Sequence, residues 1–543
     1  MFRIYYLLPL LIPLALLRRN VLGAWFRPIE RCANCLSARP ALAIASVGAL
    51  SFLLSLGLTL VSSVPTPQTH DEFGYLLLGD TFAHGRVTNP TPPLWQHFET
   101  IHQIMKPTYT AKYPPAQGLA LAVGELLGAP IIGIWLTTAL ACATVCWMFM
   151  AWMPRTWALA GGVMVALHPQ ILEWSQDYWG GAIAMGGGAL VLGGFRRILR
   201  EPRVRDSFWL GVGLVVLANS RPYEGFALGL MVLLALVIFF IESKVPAPIV
   251  VRRVFVPLLG MVFLLGLQTG FYNWRVTGNP VVMPYMVHEE TYGIAPLFLF
   301  GTPKPEPEYR HAKMRALQEE YLAYYKSQRR SFRALGHAIG EKIWTIAQGY
   351  LWSYLMVVAL LALPWVIDRD RWSWLALFIV FFFLIALFLG TWVFPHYAAP
   401  AAGLFFVLVL LSMRRLRAWH LGTWRIGRNL VRGLAILFVI SLFQVGAKMA
   451  REDRTRWFFQ RQSMMDKLAH EPYKSLVIVR YAPTHNPNRE WVYNAADIPD
   501  AKVILAREMG PQDKELLDHY SDRKAWVLYP DEATPRLEPY PGS

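Results

Sequence analysis

Residues 41–75 read ALAIASVGALSFLLSLGLTLVSSVPTPQTHDEFGY. The first two thirds, 41–64, carry no charge and exceed the roughly 20 apolar residues needed to cross a bilayer's hydrocarbon core. Arg18, Arg19, Arg27, Arg31 and Arg39 precede this run. Positive charge stays on the cytoplasmic side, so the segment is expected to run outward and deliver Asp71 and Glu72 to the extracytoplasmic face. Two adjacent carboxylates at that place need a reason.

The whole chain has the same character. Of 543 residues, 55% are hydrophobic, 14% aromatic and only 16% charged, too apolar for an ordinary soluble protein and right for a multi-pass membrane protein. The net charge of +16 lies in loops between apolar runs, so it reads as membrane topology and no nucleic-acid partner is expected.

Spans are expected near 41–64, 118–153, 157–170, 178–195, 207–219, 225–241, 254–272, 344–367, 374–394, 397–413 and 433–449, about eleven in all. Every loop that this order assigns to the cytoplasm is basic, from Arg155 through the cluster Arg196, Arg197, Arg200, Arg203 and Arg205 to Arg425, Arg428 and Arg432. One missed span would reverse that pattern. The opening IYYLLPLLIPLALL, 4–17, has the length of a signal-peptide core but no small-residue cleavage site after it. It reads as an uncleaved anchor, and if it crosses there are twelve spans.

The fold class expected is therefore an α-helical polytopic membrane protein with three parts. Residues 1–40 form an anchor and basic cytoplasmic segment. Residues 41–449 form a transmembrane body with large outer loops at 65–117 and 273–343. Residues 450–543 turn polar and alternate helix-like and strand-like stretches, including SLVIVRY, KVILARE and KAWVLYP, which predicts a small extracytoplasmic α/β domain.

Several other features have plain readings. Cys32 and Cys35 lie on the cytoplasmic side without a second ligand pair for zinc. Cys142 and Cys146 share a helix face as small packing residues. The glycine run GGAIAMGGGALVLGG, 180–194, lies inside an apolar span and suits close helix packing, not a phosphate loop. His288, Glu289 and Glu290 read as a solvated part of the second outer loop, the alternative being contact with the acceptor or closure over the site.

Asp71 and Glu72 share their loop with His84, Arg86, His97, His102, Lys112 and Tyr113, and the loop ends in AKYPPAQGLALAVGELLG. An acidic pair after the first strong span, a basic residue beside Pro-Pro before the second, and FPHYAAPAAGL at 394–404 together resemble the GT-C glycosyltransferases. The similarity is to the protein O-mannosyltransferases and the bacterial lipid A aminoarabinose transferases, over about 41–195 and again near 391–404.

The resemblance implies a GT-C type fold, a polyprenyl-phosphate sugar donor and an acceptor glycan, lipid or protein, in contact with membrane lipids; the order of spans puts the C-terminus outside the cytoplasm, and the absence of N-x-Ser/Thr sites is consistent with a bacterial inner membrane. The resemblance also implies that Asp71 takes the proton of the attacking nucleophile as general base, with Glu72 orienting the acceptor or helping to place Asp71. The departing lipid phosphate carries its own charge and needs cations more than a general acid. Lys112 and Tyr113, then Arg221, His396 and Tyr397, are the donor-binding candidates. The alternative for Lys112 is an interfacial lysine reaching the headgroups. Asp177 and Arg86 are candidate substrate contacts, although the setting of Asp177 suits an ordinary aromatic belt better. Direct attack with one base implies inversion at the anomeric carbon.

No cofactor is implied with certainty. Divalent ions assist relatives that use lipid pyrophosphate donors, but no further acid in this sequence argues for a metal. Two rivals remain. A transporter or flippase would place ionisable residues mid-span and often shows repeated halves. A lipid-linked oligosaccharide ligase shares the outward cationic site.

Overall fold

The computed structural model describes residues 21–351, 355–368, 370–420, 422, 425–451 and 453–541; the segment 4–17 lies outside them. Among the described residues, six helices are long and apolar enough to cross a membrane: Pro40–Ser62, Pro130–Trp152, Pro222–Glu242, Ala247–Thr277, Pro395–Arg417 and Ile426–Ala450. The others expected to span are shorter. Gly181–Ile198, Val204–Ala218 and Arg371–Phe388 are single helices, whereas 157–170 divides between Arg155–Ala166 and Pro169–Trp174. The 344–367 stretch falls on the end of Phe332–Tyr350 and on Leu355–Leu360 and Leu363–Ile367, with 352–354 outside the described residues.

The run 118–153 is two helices, Pro115–Leu126 and Pro130–Trp152. Gly128 takes φ +113 between them, a left-handed turn favoured by glycine, and Pro130 opens the next helix where its missing N–H costs nothing. The first of the pair packs along the His70–Ala83 helix. Gly118 permits this approach, because a Cβ there would lie 2.5 Å from Leu78 Cβ.

Apolar side chains point both ways, as a protein in lipid requires. One continuous core joins Phe149, Phe195, Phe383 and Phe406, while Leu60, Ile241, Phe263 and Phe443 are exposed on span surfaces. The glycine run does bring backbones together. A Cβ on Gly188 would meet the Pro400 carbonyl oxygen at 1.9 Å, and one on Gly213 the Gly187 oxygen at 2.6 Å. Gly181–Ile198 is thereby pressed against the 3₁₀ turn Pro395–Ala401, which carries His396 and Tyr397.

After the helix Trp457–His470, the C-terminal region forms a four-stranded sheet from β3 (Ser475–Val479), β4 (Val503–Arg507), β5 (Lys524–Tyr529) and β6 (Arg536–Pro539). Its order is β4-β3-β5-β6, with β3 parallel to both neighbours and β6 antiparallel to β5. The strands β1 (Gln103–Ile104) and β2 (Thr110–Ala111) make a small antiparallel hairpin in the first large loop. Leu77, Phe98, Met105 and Tyr109 of that loop share a core with Leu476, Ile504 and Leu516. Buried Arg507 ties the two together, donating from Nε to the Glu99 carbonyl at 2.6 Å and pairing with Glu490. The C-terminal sheet thus sits on the loop that presents the acidic pair.

Candidate functional site

The His70–Ala83 helix starts with a capping box between Thr69 and Glu72. Glu72 Oε2 accepts from the backbone N–H of Gln68 at 2.7 Å and of Thr69 at 3.0 Å, and Oε1 accepts from the Tyr178 N–H at 3.2 Å. Only 4% of Glu72 is exposed. Burial raises its pKa, with the backbone donors opposing. Both oxygens thereby help to fasten the helix start to the 175–180 turn.

Asp71 lies one residue earlier, about 100° round the helix, and faces elsewhere. Its side chain is 38% exposed, and its Oδ1 accepts a short hydrogen bond from the Tyr113 hydroxyl. That hydroxyl is also 2.7 Å from His102 Nδ1, which lies 3.7 Å from Asp71 Oδ1. With the Tyr113 proton committed to Asp71, the histidine donates from Nδ1, so two donors in series hold the carboxylate. Gly74 makes room, since a Cβ there would stand 2.8 Å from the Tyr113 ring.

The β1–β2 hairpin explains why these residues meet. Its open end puts Lys112 N in hydrogen-bond contact with the His102 carbonyl at 3.2 Å, so His102, Lys112 and Tyr113 emerge side by side. Lys112 is only 6% exposed. Its Nζ lies 3.7 Å from Glu289 Oε1 and 4.7 Å from the Tyr285 ring centre. Burial pulls its pKa down, opposed by Glu289 and Asp71. Burial would raise Glu289, but the His288 hydrogen bond and the Lys112 charge hold it at about 2. A lysine enclosed in this way is not one reaching outward to headgroups.

Arg221 stacks over the Tyr397 ring at 4.5 Å, and Asp71, Tyr75 and Glu224 are close enough to act on its charge. The His396 ring is 4.2 Å from that of Trp179, whose Nε1 donates to Thr69 Oγ1 at 2.8 Å. Asp71, Lys112, Tyr113, Arg221 and Tyr397 thus line one region, with His396 joined to it through Trp179 and the cap of the Asp71 helix. Asp177 stands behind Glu72, accepting from the Trp179 N–H at 2.9 Å, and burial raises its pKa with the Glu72 charge adding to the effect. Arg86 is elsewhere. It lies past the far end of the helix, roughly 20 Å along its axis, and pairs with Asp497 at 3.2 Å.

The solvated-loop expectation for 288–290 holds for Glu290, which is exposed, and fails for its two neighbours. His288 is 2% exposed, and its ring lies 5.8 Å from that of His102. The short helix Pro284–Thr291 turns Tyr285, His288 and Glu289 onto Lys112. His288 and Glu289 were visible as MVHEETYG, but only the folded loop reveals their partner. Tyr285 and Tyr321, both acted on by the Asp71 charge, carried no signal in sequence.

Among the described residues, one group has the spacing of metal ligands: Asp80, His84 and Glu125, each with an atom within 4.8 Å of the others. It lies at the far end of the helix from Asp71. Asp80 is already engaged, with His84 at 3.0 Å and with the Ala496 N–H at 2.7 Å.

No protein-family model matches the chain, and no curated protein does. Solved structures do match. ArnT from Cupriavidus metallidurans in the apo state superposes with a TM-score of 0.51 at 12% identity, over 89% of this chain and 92% of that one. The Archaeoglobus fulgidus oligosaccharyltransferase, in complex with zinc and sulfate, gives 0.50 at 11% identity, over 89% of this chain and 67% of that one. At such identity the likeness is one of fold, and it agrees with the helices and the resemblance of the acidic-pair region: this chain has the GT-C membrane fold.

Proposed function

We propose that the protein is a membrane glycosyltransferase that moves a single sugar from a polyprenyl-phosphate carrier to an acceptor nucleophile on the extracytoplasmic face, with inversion. The observation that carries this reading is the half-exposed Asp71 carboxylate, steadied by Tyr113 and His102 within electrostatic reach of Lys112 and Arg221. A base and two nearby cations are what attack at an anomeric carbon bearing a phosphate leaving group requires.

In this reading Asp71 receives the proton of the acceptor as its oxygen or nitrogen closes on the anomeric carbon. The bond to the lipid phosphate breaks on the opposite side, and the phosphate keeps the electron pair. Lys112 and Arg221 stabilise that charge, Lys112 more effectively than in water because it is enclosed. Tyr397 holds Arg221 from beneath through its ring face, and His396 with Trp179 forms an aromatic wall. Lys112 is kept from collapsing onto Asp71 by Glu289, which shares its charge. The shorter helices complete about eleven crossings, leaving the first loop and the C-terminal α/β domain of 450–543 outside the cytoplasm of a bacterial inner membrane. Their shared hydrophobic core supports a common side.

The test is comparison of surface glycans, lipids and glycoproteins by mass spectrometry in cells with and without the gene, repeated with an Asp71→Asn copy. Loss of one sugar in both the deletion and the variant is the expected result. An unchanged sugar profile with altered uptake or export of a solute would assign the protein to transport.

A further inference from the structure

The back of the His70–Ala83 helix borders a cleft that the transfer site does not use. Phe73, Leu76, Leu77 and Asp80 lie roughly 140–240° round that helix from Asp71, and all four line a cleft of about 1610 Å³. The Trp457–His470 helix lines it too, through Phe459, Arg461 and Lys467, as do residues 63–67 and Pro130. Residues 63–67 follow directly on the span Pro40–Ser62, and Pro130 opens the span Pro130–Trp152. The cleft therefore meets the bilayer where two spans end. Leu60, Val61 and Val64 beside one end, and Leu126 and Leu127 ahead of the other, are exposed. Apolar span ends leading into a partly charged cleft suit an amphiphile.

Arg461 supplies the polar end. It is only 7% exposed. Its Nε donates to the Trp491 carbonyl at 3.0 Å and its Nη2 to the Tyr493 carbonyl at 2.9 Å, while the guanidinium centre lies 4.7 Å from the Phe73 ring centre. Among the described residues Nη1 finds no partner, and it is not one of the sealed orphan atoms: it keeps accessible surface, on a residue that borders the cleft. No carboxylate pairs with this cation, and burial lowers its pKa to about 10. An enclosed guanidinium with one open N–H and no paired acid asks for an anionic oxygen from outside the chain.

The other charges narrow the ligand. Asp80 is engaged by His84 and the Ala496 N–H, Asp466 by the Gln462 amide, and Arg454 by the Ser62 carbonyl and Ser63 Oγ. That leaves Arg461 Nη1 and Lys467 as open cations, against Glu125 and Glu471 as open acids. A bare anion would meet two unneutralised carboxylates, whereas a head group carrying one phosphate and one ammonium satisfies both signs.

We infer that this cleft is a binding site for a zwitterionic phospholipid of the surrounding bilayer, whose phosphate accepts a hydrogen bond from Arg461 Nη1 and whose ammonium faces Glu125. It stands whether or not Asp71 is a catalytic base. The test is native mass spectrometry of the full chain, delipidated in detergent and titrated with dioleoyl phosphatidylethanolamine or dioleoyl phosphatidylglycerol. One phosphatidylethanolamine should be held by the wild type and Asp71→Asn alike, and more tightly than phosphatidylglycerol. Arg461→Gln should weaken its binding about tenfold, the effect of one lost charge-assisted hydrogen bond. Glu125→Gln should weaken it about threefold, as for a partly solvated ion pair, and leave phosphatidylglycerol unaffected. Absence of a bound phosphatidylethanolamine overturns the inference, as does equal retention of phosphatidylglycerol or unchanged binding by Arg461→Gln. Should Arg461→Gln fail to fold, Ser463→Trp places an indole in the cleft from an exposed helix position, and wild-type binding by that variant overturns the inference equally.

Discussion

The two sides of the His70–Ala83 helix start differ more than their sequence suggests. On one side Glu72 is buried, and three backbone N–H groups converge on its oxygens. On the other, Asp71 keeps more than a third of its side chain open and meets a tyrosine hydroxyl. Neighbouring like charges would repel if both faced one cavity. The helix separates them, giving one to the scaffold and the other to the region where Lys112 and Arg221 lie. A paired motif in sequence need not be a paired site in space.

The sharpest way to break this contrast is at Asp71. Asp71→Asn keeps volume and leaves the Tyr113 hydroxyl a partner, but cannot take a proton. Transfer should fall by about 10²–10⁴-fold, measured with a polyprenyl-phosphate sugar in nanodiscs, while thermal unfolding stays where it was. Near-normal turnover would move the base elsewhere.

Glu72→Leu should give the opposite pattern. It strands the N–H groups of Gln68, Thr69 and Tyr178 in a buried place, and each such group costs about 1–3 kcal/mol. Total destabilisation of about 3 kcal/mol or more is expected, read as a lower unfolding temperature in detergent. Turnover per folded molecule should suffer far less than in Asp71→Asn. If Glu72→Leu unfolds normally yet loses turnover as severely, the carboxylate acts in the chemistry and the contrast between the two residues disappears.

Lys112 offers a finer probe through pH. Burial lowers its pKa from the ordinary 10.5. A lysine acts as a cation only below its pKa, so activity that depends on it should decline as pH rises, and at a lower pH than an ordinary lysine would impose. Lys112→Arg keeps a charge that does not titrate in this range, but fits the Glu289 and Tyr285 surroundings less well. It should lower turnover about tenfold near neutrality and move the alkaline limb upward. An alkaline limb that stays in place would assign the titration to another group.

How much of this could be read beforehand follows from distance along the chain. Asp71, Lys112 and Tyr113 fall within one loop, between an apolar run and a Pro-Pro, so their common side of the membrane was legible. Their grouping depends on a hairpin of two residues per strand, too short for any period to register. Glu289 and Tyr285 arrive from a loop more than 170 positions later, and their burial comes from tertiary packing that polar composition hides. The expected span 118–153 shows the same limit. Averaged hydropathy runs smoothly through GlyAlaPro at 128–130, yet backbone stereochemistry breaks the helix there. The sheet strands β3, β4 and β5 were legible from their apolar runs, while polar β6 was not.

The smallest effect belongs to the far end of the same helix. Arg86 and Asp497 meet at 3.2 Å with side chains 30% and 42% exposed, and solvent weakens such a pair to about 0.2–1 kcal/mol. Arg86 Nε and Nη2 are buried without partners, a cost that offsets much of the attraction. Arg86→Ala and Asp497→Ala should therefore each change stability little, and a double-mutant cycle should find coupling of about 0.5 kcal/mol. Transfer is the informative readout. A substrate contact at Arg86 would lower it tenfold or more when removed, whereas a strap between the loop and the C-terminal sheet would leave it nearly unchanged. The geometry favours the strap, because the acid paired with Arg86 lies in the loop before β4 and Asp71 is a helix length away.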